Sequence, residues 1–413
     1  GLDALLDAVE QLQGAPLAAS IIEREILAAR VEGYTPSDLD VLAGSGEVVW
    51  VGVEPLGDRD GRVALYLTDH LPKLLAPTPT PADLSPRACA VIEHLRRDGA
   101  SFFAAIHDAA GGGYPAESVD TLWDLAWRGI VTNDTFHPLR AFTQPPARRS
   151  RRDLAAVRHG FRSRRLTPPT AEGRWSLVES RLGTAGTTTE RATALAWQLL
   201  NRHGVLTREA MTIENIPGGF SAVYAVLKAL EEAGRIRRGY FVANLGATQF
   251  ALPAAVDLLR SLRDEPDTPQ TVYLAATDPA NPYGAVLRWP SATNDVSTIE
   301  HRADGAAAGD ERRATRSVGA GVILVNGALA AYMPRADRSL LVFLPDAEPA
   351  RSMMAEEVAR TLFALATGGS DRPGMLIGEI NAVAAVAHPL APFLVRAGFN
   401  KRPTGFQAAP AKD

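Results

Sequence analysis

The chain has 413 residues, 46% of them apolar and 22% charged, with a formal net charge of −4. That length exceeds the roughly 250–300 residues at which one core stops growing, so two to four domains are expected. No apolar run reaches the ~18 residues of a membrane-crossing helix, so no membrane partner is expected. The single Cys89 excludes an internal disulfide and a cysteine-based zinc site. The chain begins Gly-Leu-Asp, without an initiator Met, a basic n-region or a cleavage site. It reads as a piece of a longer cytoplasmic chain with no export signal.

In chain order, one supersecondary unit recurs: two helices, a turn with glycine, then two β-rich runs. The first copy is "TPSDLDVLAGSGEVVWVGV" with "GRVALYL". Pro36 opens a helix there, and strands fall near 47–53 and 62–67. The second is "YPAESVDTLWDLAWRGIVTNDTFHPLRAF", from Pro115 to a stop at Gly129. The third is "GFSAVYAVLKALEEAGRIRRGYFVANLGATQFAL", where Ser221 is placed to cap a helix and Gly234 to close it. The glycines at 46, 129 and 234 are too unevenly spaced for a solenoid. Each copy matches a helix-turn-helix followed by a β-hairpin, a winged helix. The bland alternative is a common small core with no nucleic acid; three tandem copies favour the module.

The spacer "APTPTPADLSP" at 76–86 is proline-stiffened. Residues 148–165 hold eight arginines against one aspartate, with a helix expected over 151–163. Of these, Arg148, Arg149, Arg151, Arg152, Arg162, Arg164 and Arg165 are candidate phosphate contacts. The alternative is a plain linker, or a strap on an acidic partner. Arg235, Arg237 and Arg238 enter the third hairpin, where a wing meets phosphates and sets affinity rather than sequence preference. Alternatively they solvate one hairpin face or pair with Glu231 and Glu232. Cys89 reads as a core thiol, and Trp175 as the anchor of a linker to a core.

After Pro266 the runs "TVYLAATDP", "GAVLRW", "GAGVILVNGALAAYM" and "SLLVFL" read as short strands, with Asn326–Gly327 a hairpin turn. They are expected to roll into a small β-barrel, with 303–317 a disordered loop inside it. The expected fold class is α+β: tandem winged-helix (helix-turn-helix plus β-hairpin) modules followed by a small β-barrel and a C-terminal α/β segment. The boundaries are modules at 1–76, 77–142 and 183–265, an Arg-rich linker at 143–182, the barrel at 266–346 and the segment at 347–413.

Chemical motifs are few. No G-x-x-x-x-G-K-[ST] or G-x-S-x-G occurs, and no two histidines pair at i, i+4, so no ATPase motor, nucleophile elbow or metal site is expected. Glu54, Asp278 and Glu379 stand in hairpins or turns. One positioned carboxylate there suffices to orient water against a glycosidic bond; capping or solvation is the alternative.

Several strings together resemble one family. "LEEAGRIRRGYFVANLGATQFALPAAVDLLR", "TVYLAATDPANPYGAVLRWP", "GRWSLV" and "SGEVVWVGVEPLG" with "DGRVALYL" are similar to the C-terminal region of bacterial large helicase-related (Lhr) proteins, the matches running in the same order along both from about 38 to 345. The resemblance implies a parent ATP-dependent 3′-to-5′ DNA repair helicase whose motor, with its ATP and magnesium, lies outside this region; no cofactor is expected here. It implies self-association as a homotetramer, and DNA, single-stranded or damaged, as partner. The layout is also similar to glycosylases that unhook DNA crosslinks, which carry Gln-x-Gln or Gln-x-Asp. Here the one Gln-x-Gln is Gln11–Gln13, in the predicted first helix, so those catalytic residues are not carried over. Three functions stand: an oligomerising, DNA-engaging helicase domain, a glycosylase acting on damaged or crosslinked bases, and a protein-binding scaffold.

Overall fold

The computed structural model describes residues 1–76, 81–144, 167–183, 186–264, 266–290, 313–335, 338–368 and 374–408. They form two compact units, Gly1–Gly239 with Thr248–Leu252, and Tyr240–Ala247 with Pro253–Asp413.

The first unit follows one path three times: helix, short strand, helix, helix, two strands. The first pass is α1 (Leu2–Leu12), β1 (Leu17–Ala18), α2 (Ala19–Ile21, continuing into a π-helical turn Ile22–Leu27), α3 (Pro36–Ser45), β2 (Val48–Pro55) and β3 (Gly61–Leu67). The second is α4 (Pro86–Asp98), β4 (Ser101–Phe102), α5 (Phe103–Ala109), α6 (Pro115–Trp127), β5 (Val131–Asn133) and β6 (Arg174–Leu177), with α7 (His137–Thr143) between the last two strands. The third is α8 (Thr188–His203), β7 (Val205–Leu206), α9 (Arg208–Ile213), α10 (Ser221–Glu232), β8 (Arg237–Gly239) and β9 (Gln249–Ala251). Each short first strand pairs with the last, giving the orders β1-β3-β2, β4-β6-β5 and β7-β9-β8. This is the winged-helix arrangement.

Local chemistry sets the helix ends. Thr35 and Asp38 form a capping box before Pro36, and Gly46 at φ +86° ends α3. Thr187 and Glu190 cap α8 in the same way. Gly234 follows α10 at φ +70°, as its sequence position predicts, whereas Ser221 does not cap; Phe220 stands at that position.

The first two modules interlock. Trp50, Trp123 and Trp175 meet with ring centroids 5.7–6.3 Å apart. Their indole N–H groups donate to the carbonyls of Thr135, Thr170 and Ala171, so the buried polar edges are satisfied. Trp175 is fully buried, as an anchor should be. Cys89 is the reverse: α4 buries Ala88, Val91, Ile92 and Leu95, and Cys89 lies off that face, exposed rather than in the core. The arginines of 148–165 lie outside the described residues. In sequence they fall between β5 and β6, two strands of one sheet.

The second unit overturns the barrel expectation. Strands β10 (Thr271–Ala275), β11 (Gly321–Val325), β12 (Ala328–Met333), β13 (Ser339–Val342), β15 (Glu379–Ile380) and β16 (Val383–Ala384) form a sheet in the order β10-β11-β12-β13-β15-β16. It is open, with β10 and β16 as its two edges, and no sheet among the described residues closes on itself. The physical reason is that both faces are covered by other elements. Ile323, Val325, Leu340 and Val342 pack with Val358 and Leu362 of α12 (Ala350–Thr367). On the opposite face Val322, Leu324 and Tyr332 pack with Tyr283 and Trp289. A sheet buried on both sides needs no closure to hide its apolar residues. Asn326 and Gly327, at φ +48° and +80°, form the expected tight turn between β11 and β12. Of the loop expected at 303–317, residues 303–312 lie outside the described set. Ala314 and Arg316 are packed: the Arg316 guanidinium donates to the carbonyls of Thr277, Asp278, Asn281 and Tyr283. A further sheet, β14 (Met375–Ile377), β17 (Asn400–Arg402) and β18 (Gly405–Ala408), runs in the order β14-β18-β17.

Candidate nucleic-acid interface

In a winged helix, the third helix is the element that enters a DNA groove. In the first two modules that helix is acidic and occupied. The α3 helix carries Asp38 and Asp40 and no Lys or Arg; α6 carries Glu117, Asp120 and Asp124 and no Lys or Arg. Asp40 accepts from the Phe136 N–H at 2.8 Å and from Arg140 at 2.6 Å, so α3 is held by the second module's own wing insertion. Arg140 also bonds Glu23 at 2.6 and 2.9 Å. Burial alone would lower its pKa, but Glu23 and Asp40 outweigh that and raise it, which keeps the cation fixed. On α6, Leu122, Trp123, Leu125, Ala126 and Trp127 are all buried. Both helices are engaged in packing and ion pairs, and neither carries a cation to receive phosphate.

The third module differs. Only Val223 and Leu227 of α10 are buried, and its one cation, Lys228, sits 3.6 Å from Glu232. The free positive charge is on the wing and on α9. Arg235, Arg237 and Arg238 are exposed, and among the described residues none pairs with a carboxylate; the alternative of pairing with Glu231 and Glu232 is not realised. Arg235 lies over the Trp197 ring at 5.8 Å, and Arg238 over Phe250 at 6.0 Å. On the same module Arg208, at the start of α9, lies 5.6 Å over Phe220.

Other expectations resolve into structure. Gln13 is buried: its amide contacts the Glu10 carbonyl, Gln198 Oε1 and His70 Nδ1, and its Oε1 accepts from Leu67 N–H. It fastens α1 to the strands and to α8, and has no free group for catalysis. Glu54 pairs with Arg62 on the first hairpin. The carboxylate of Asp278, fully buried, accepts from Ala280 N–H at 2.7 Å and shapes the loop that Arg316 encloses. Glu379 is exposed on β15. Glu54 belongs to the first unit, and Asp278 and Glu379 stand on different elements of the second.

Sequence reading missed three features. The Arg208–Phe220–Phe250–Arg238 arrangement is one; its visible trace is the aromatic pair Phe220 and Tyr224 at i, i+4. Another is a buried cluster of Arg202, His203 and Glu214. The third is a line in which His94 Nε2 stands 3.1 Å from Ser101 Oγ and His94 Nδ1 2.9 Å from Asp98. It resembles a nucleophile–base–acid line. But Ser101 Oγ donates to the Gly99 carbonyl at 3.0 Å, and all three residues lie at one helix end, so the line locks the end of α4. Among the described residues no group of three or more His, Cys, Asp or Glu is placed to hold a metal. No helix among them is long and apolar enough to cross a membrane.

Models of the winged-helix domain of the large helicase-related protein match residues 1–68 and 185–271, the first and third modules. An Lhr helicase/probable uracil glycosylase of Mycolicibacterium smegmatis is 38% identical over 94% of this chain. An Lhr helicase/uracil glycosylase of Escherichia coli is 33% identical over 98% of it. The chain spans about a quarter of the length of both relatives, 25% and 26%. Among solved structures, the Streptomyces sahachiroi DNA glycosylase AlkZ aligns over 86% of this chain and 95% of its own, at 13% identity and a TM-score of 0.38, too loose a likeness to carry an argument. With two of its winged-helix domains matched and identity running along nearly the whole sequence, the chain belongs to the large helicase-related family.

Proposed function

We propose that this chain is the DNA-engaging, base-excising region of a large helicase-related protein, with uracil as the excised base. What carries this reading is the identity of 38% and 33%, over almost all of the chain, to relatives named for both helicase and uracil glycosylase. Of those two activities, a motor needs a phosphate-binding loop, and no G-x-x-x-x-G-K-[ST] occurs in the 413 residues. Hydrolysis of a glycosidic bond asks less: one positioned carboxylate or amide to orient water, and a surface that holds the strand. In this reading the motor, with its ATP and magnesium, lies in the rest of a cytoplasmic parent, and Arg235, Arg237 and Arg238 meet DNA phosphates.

The test is direct. The purified chain is incubated with a labelled oligonucleotide holding one uracil, and abasic sites are cut with alkali. Strand cleavage at the uracil is the expected result; cleavage no greater than in buffer overturns the proposal.

A second reading is self-association, favoured by Leu258, Leu259 and Leu262. They are 59%, 44% and 63% exposed on and just beyond α11 (Pro253–Ser261), a helix that buries only Val256. Light scattering at micromolar concentration is expected to give the mass of an oligomer, and Leu258→Glu with Leu262→Glu to reduce it. A monomeric wild-type chain refutes this reading.

A further inference from the structure

We propose that Arg208, Phe220, Tyr224 and Arg238 form a stacking platform for an unpaired DNA base on the third winged-helix module. The proposal deepens the DNA-engaging reading above and rests on it. The platform is a ladder. Arg208 lies 5.6 Å over Phe220, and Phe220 stacks on Phe250 at 6.4 Å with 28° between the planes. Arg238 covers Phe250 at 6.0 Å. Tyr224 braces both rings, 5.6 Å from Phe220 and 6.3 Å from Phe250, and remains 36% exposed.

Phe250 is fully buried and forms the floor, while the guanidinium groups of Arg208 and Arg238 end the ladder in solvent. Neither has a carboxylate partner among the described residues, although Glu209, Glu231 and Glu232 are close in sequence. A planar guanidinium over a ring presents a second flat face, on which a nucleobase stacks as it does on an aromatic side chain. The same cation then meets the adjoining phosphate.

The ligand is a single strand rather than a duplex for two reasons. In duplex DNA the base faces are hidden in their own stack. The helix that would read a duplex groove, α10, exposes Ser221, Ala222, Ala225 and Ala229, and its single cation is paired with Glu232. It offers little to read base edges with. The wing next to the ladder adds Arg235 and Arg237 for the backbone.

The experiment uses the whole chain and fluorescence anisotropy with a uracil-free, labelled dT12 strand and a duplex of equal length, over a series of salt concentrations. Wild type is expected to prefer dT12. Tyr224→Ala and Arg208→Ala are expected to weaken dT12 binding by about 5- to 100-fold, the range of one lost base stack. Tyr224→Ala leaves the salt slope unchanged, whereas Arg237→Ala lowers it by about 0.7, one single-strand phosphate contact. Arg238→Lys keeps the charge but loses the planar face, so it keeps the slope and loses affinity. Circular dichroism checks folding, and Tyr224→Phe, which retains the ring, is expected to bind as wild type. Wild-type affinity in Tyr224→Ala, full recovery in Arg238→Lys, or a preference for duplex overturns the platform. Because dT12 contains no uracil, binding is read separately from excision: intact dT12 binding without uracil release overturns the excision reading alone.

Discussion

Replacing Arg202 with Ala is expected to destabilise the first unit by about 3–5 kcal/mol, the usual cost of breaking a buried ion pair by removing one partner. The side chains of Arg202 and Glu214 are 3% and 7% exposed. Arg202 pairs with Glu214 and donates to the carbonyls of Gln13 and, at 3.4 Å, Gln11. It therefore ties α8 of the third module to the end of α1 in the first. His203 Nε2 completes the cluster 2.8 Å from Glu214. In the variant the Glu214 carboxylate remains buried with one partner fewer, and the Gln13 carbonyl loses its side-chain donor, while that of Gln11 keeps Gln198 at 3.1 Å. The pH dependence separates this from simple loss of packing. Burial pushes the Glu214 pKa up, but the His203 hydrogen bond and the Arg202 charge overcome it and hold it below its ordinary 4.5. A depressed folded pKa gives stability that is full above about pH 4.5 and lost as pH falls through the lower folded value. Without Arg202 the burial effect gains weight, so the acid transition moves to higher pH. Urea midpoints across pH 3–7 measure both effects; a midpoint within error of wild type at pH 7 refutes the assignment.

The repeated helix–turn–hairpin was legible because its punctuation is local: Pro36, Pro115, Gly46 and Gly234 each mark an end that needs no knowledge of the tertiary fold. The wing arginines were legible for the same reason, since Gly234 fixes where the hairpin begins. Closure of the sheet was not. In β11, Val322, Ile323, Leu324 and Val325 are all buried, facing two cores alternately. An unbroken apolar run reports that both faces are dry, and a rolled barrel or a sheet covered by α12 satisfies it equally. The stacking ladder was half legible. Phe220 and Tyr224 stand one helical turn apart in sequence, but Arg208, Arg238 and Phe250 join them only through the β7-β9-β8 sheet. The Arg202–Glu214 pair left no trace at all, because a separation of twelve residues carries no period that predicts contact.

Gly52→Ala tests the interlock that takes the second module's third helix out of reach of DNA. Gly52 lies in β2, opposite Val63 and beside a bulge that ends at Glu54. A Cβ built there falls on the carbonyl oxygen of Ala126, with its carbonyl carbon 2.7 Å away and the Cα of Trp127 at 3.0 Å. These are backbone atoms at the end of α6, and α6 is fixed by the buried Trp123 and Trp127, so no side-chain rotation relieves the overlap. The expected loss lies at or above the top of the about 1–3 kcal/mol usual for overpacking. Gly44→Ala in α3 is the counterpart. Its added Cβ meets only the Asp134 carbonyl oxygen, at 3.9 Å, so the helix gains about 0.5–1 kcal/mol from the better helix former. Both are read from thermal unfolding of the whole chain. The opposite signs distinguish a close backbone approach from a general intolerance of alanine at glycine positions. If Gly52→Ala melts with wild type, the contact between β2 and α6 is not maintained in solution. The second module's helix would then be free of the first module's sheet.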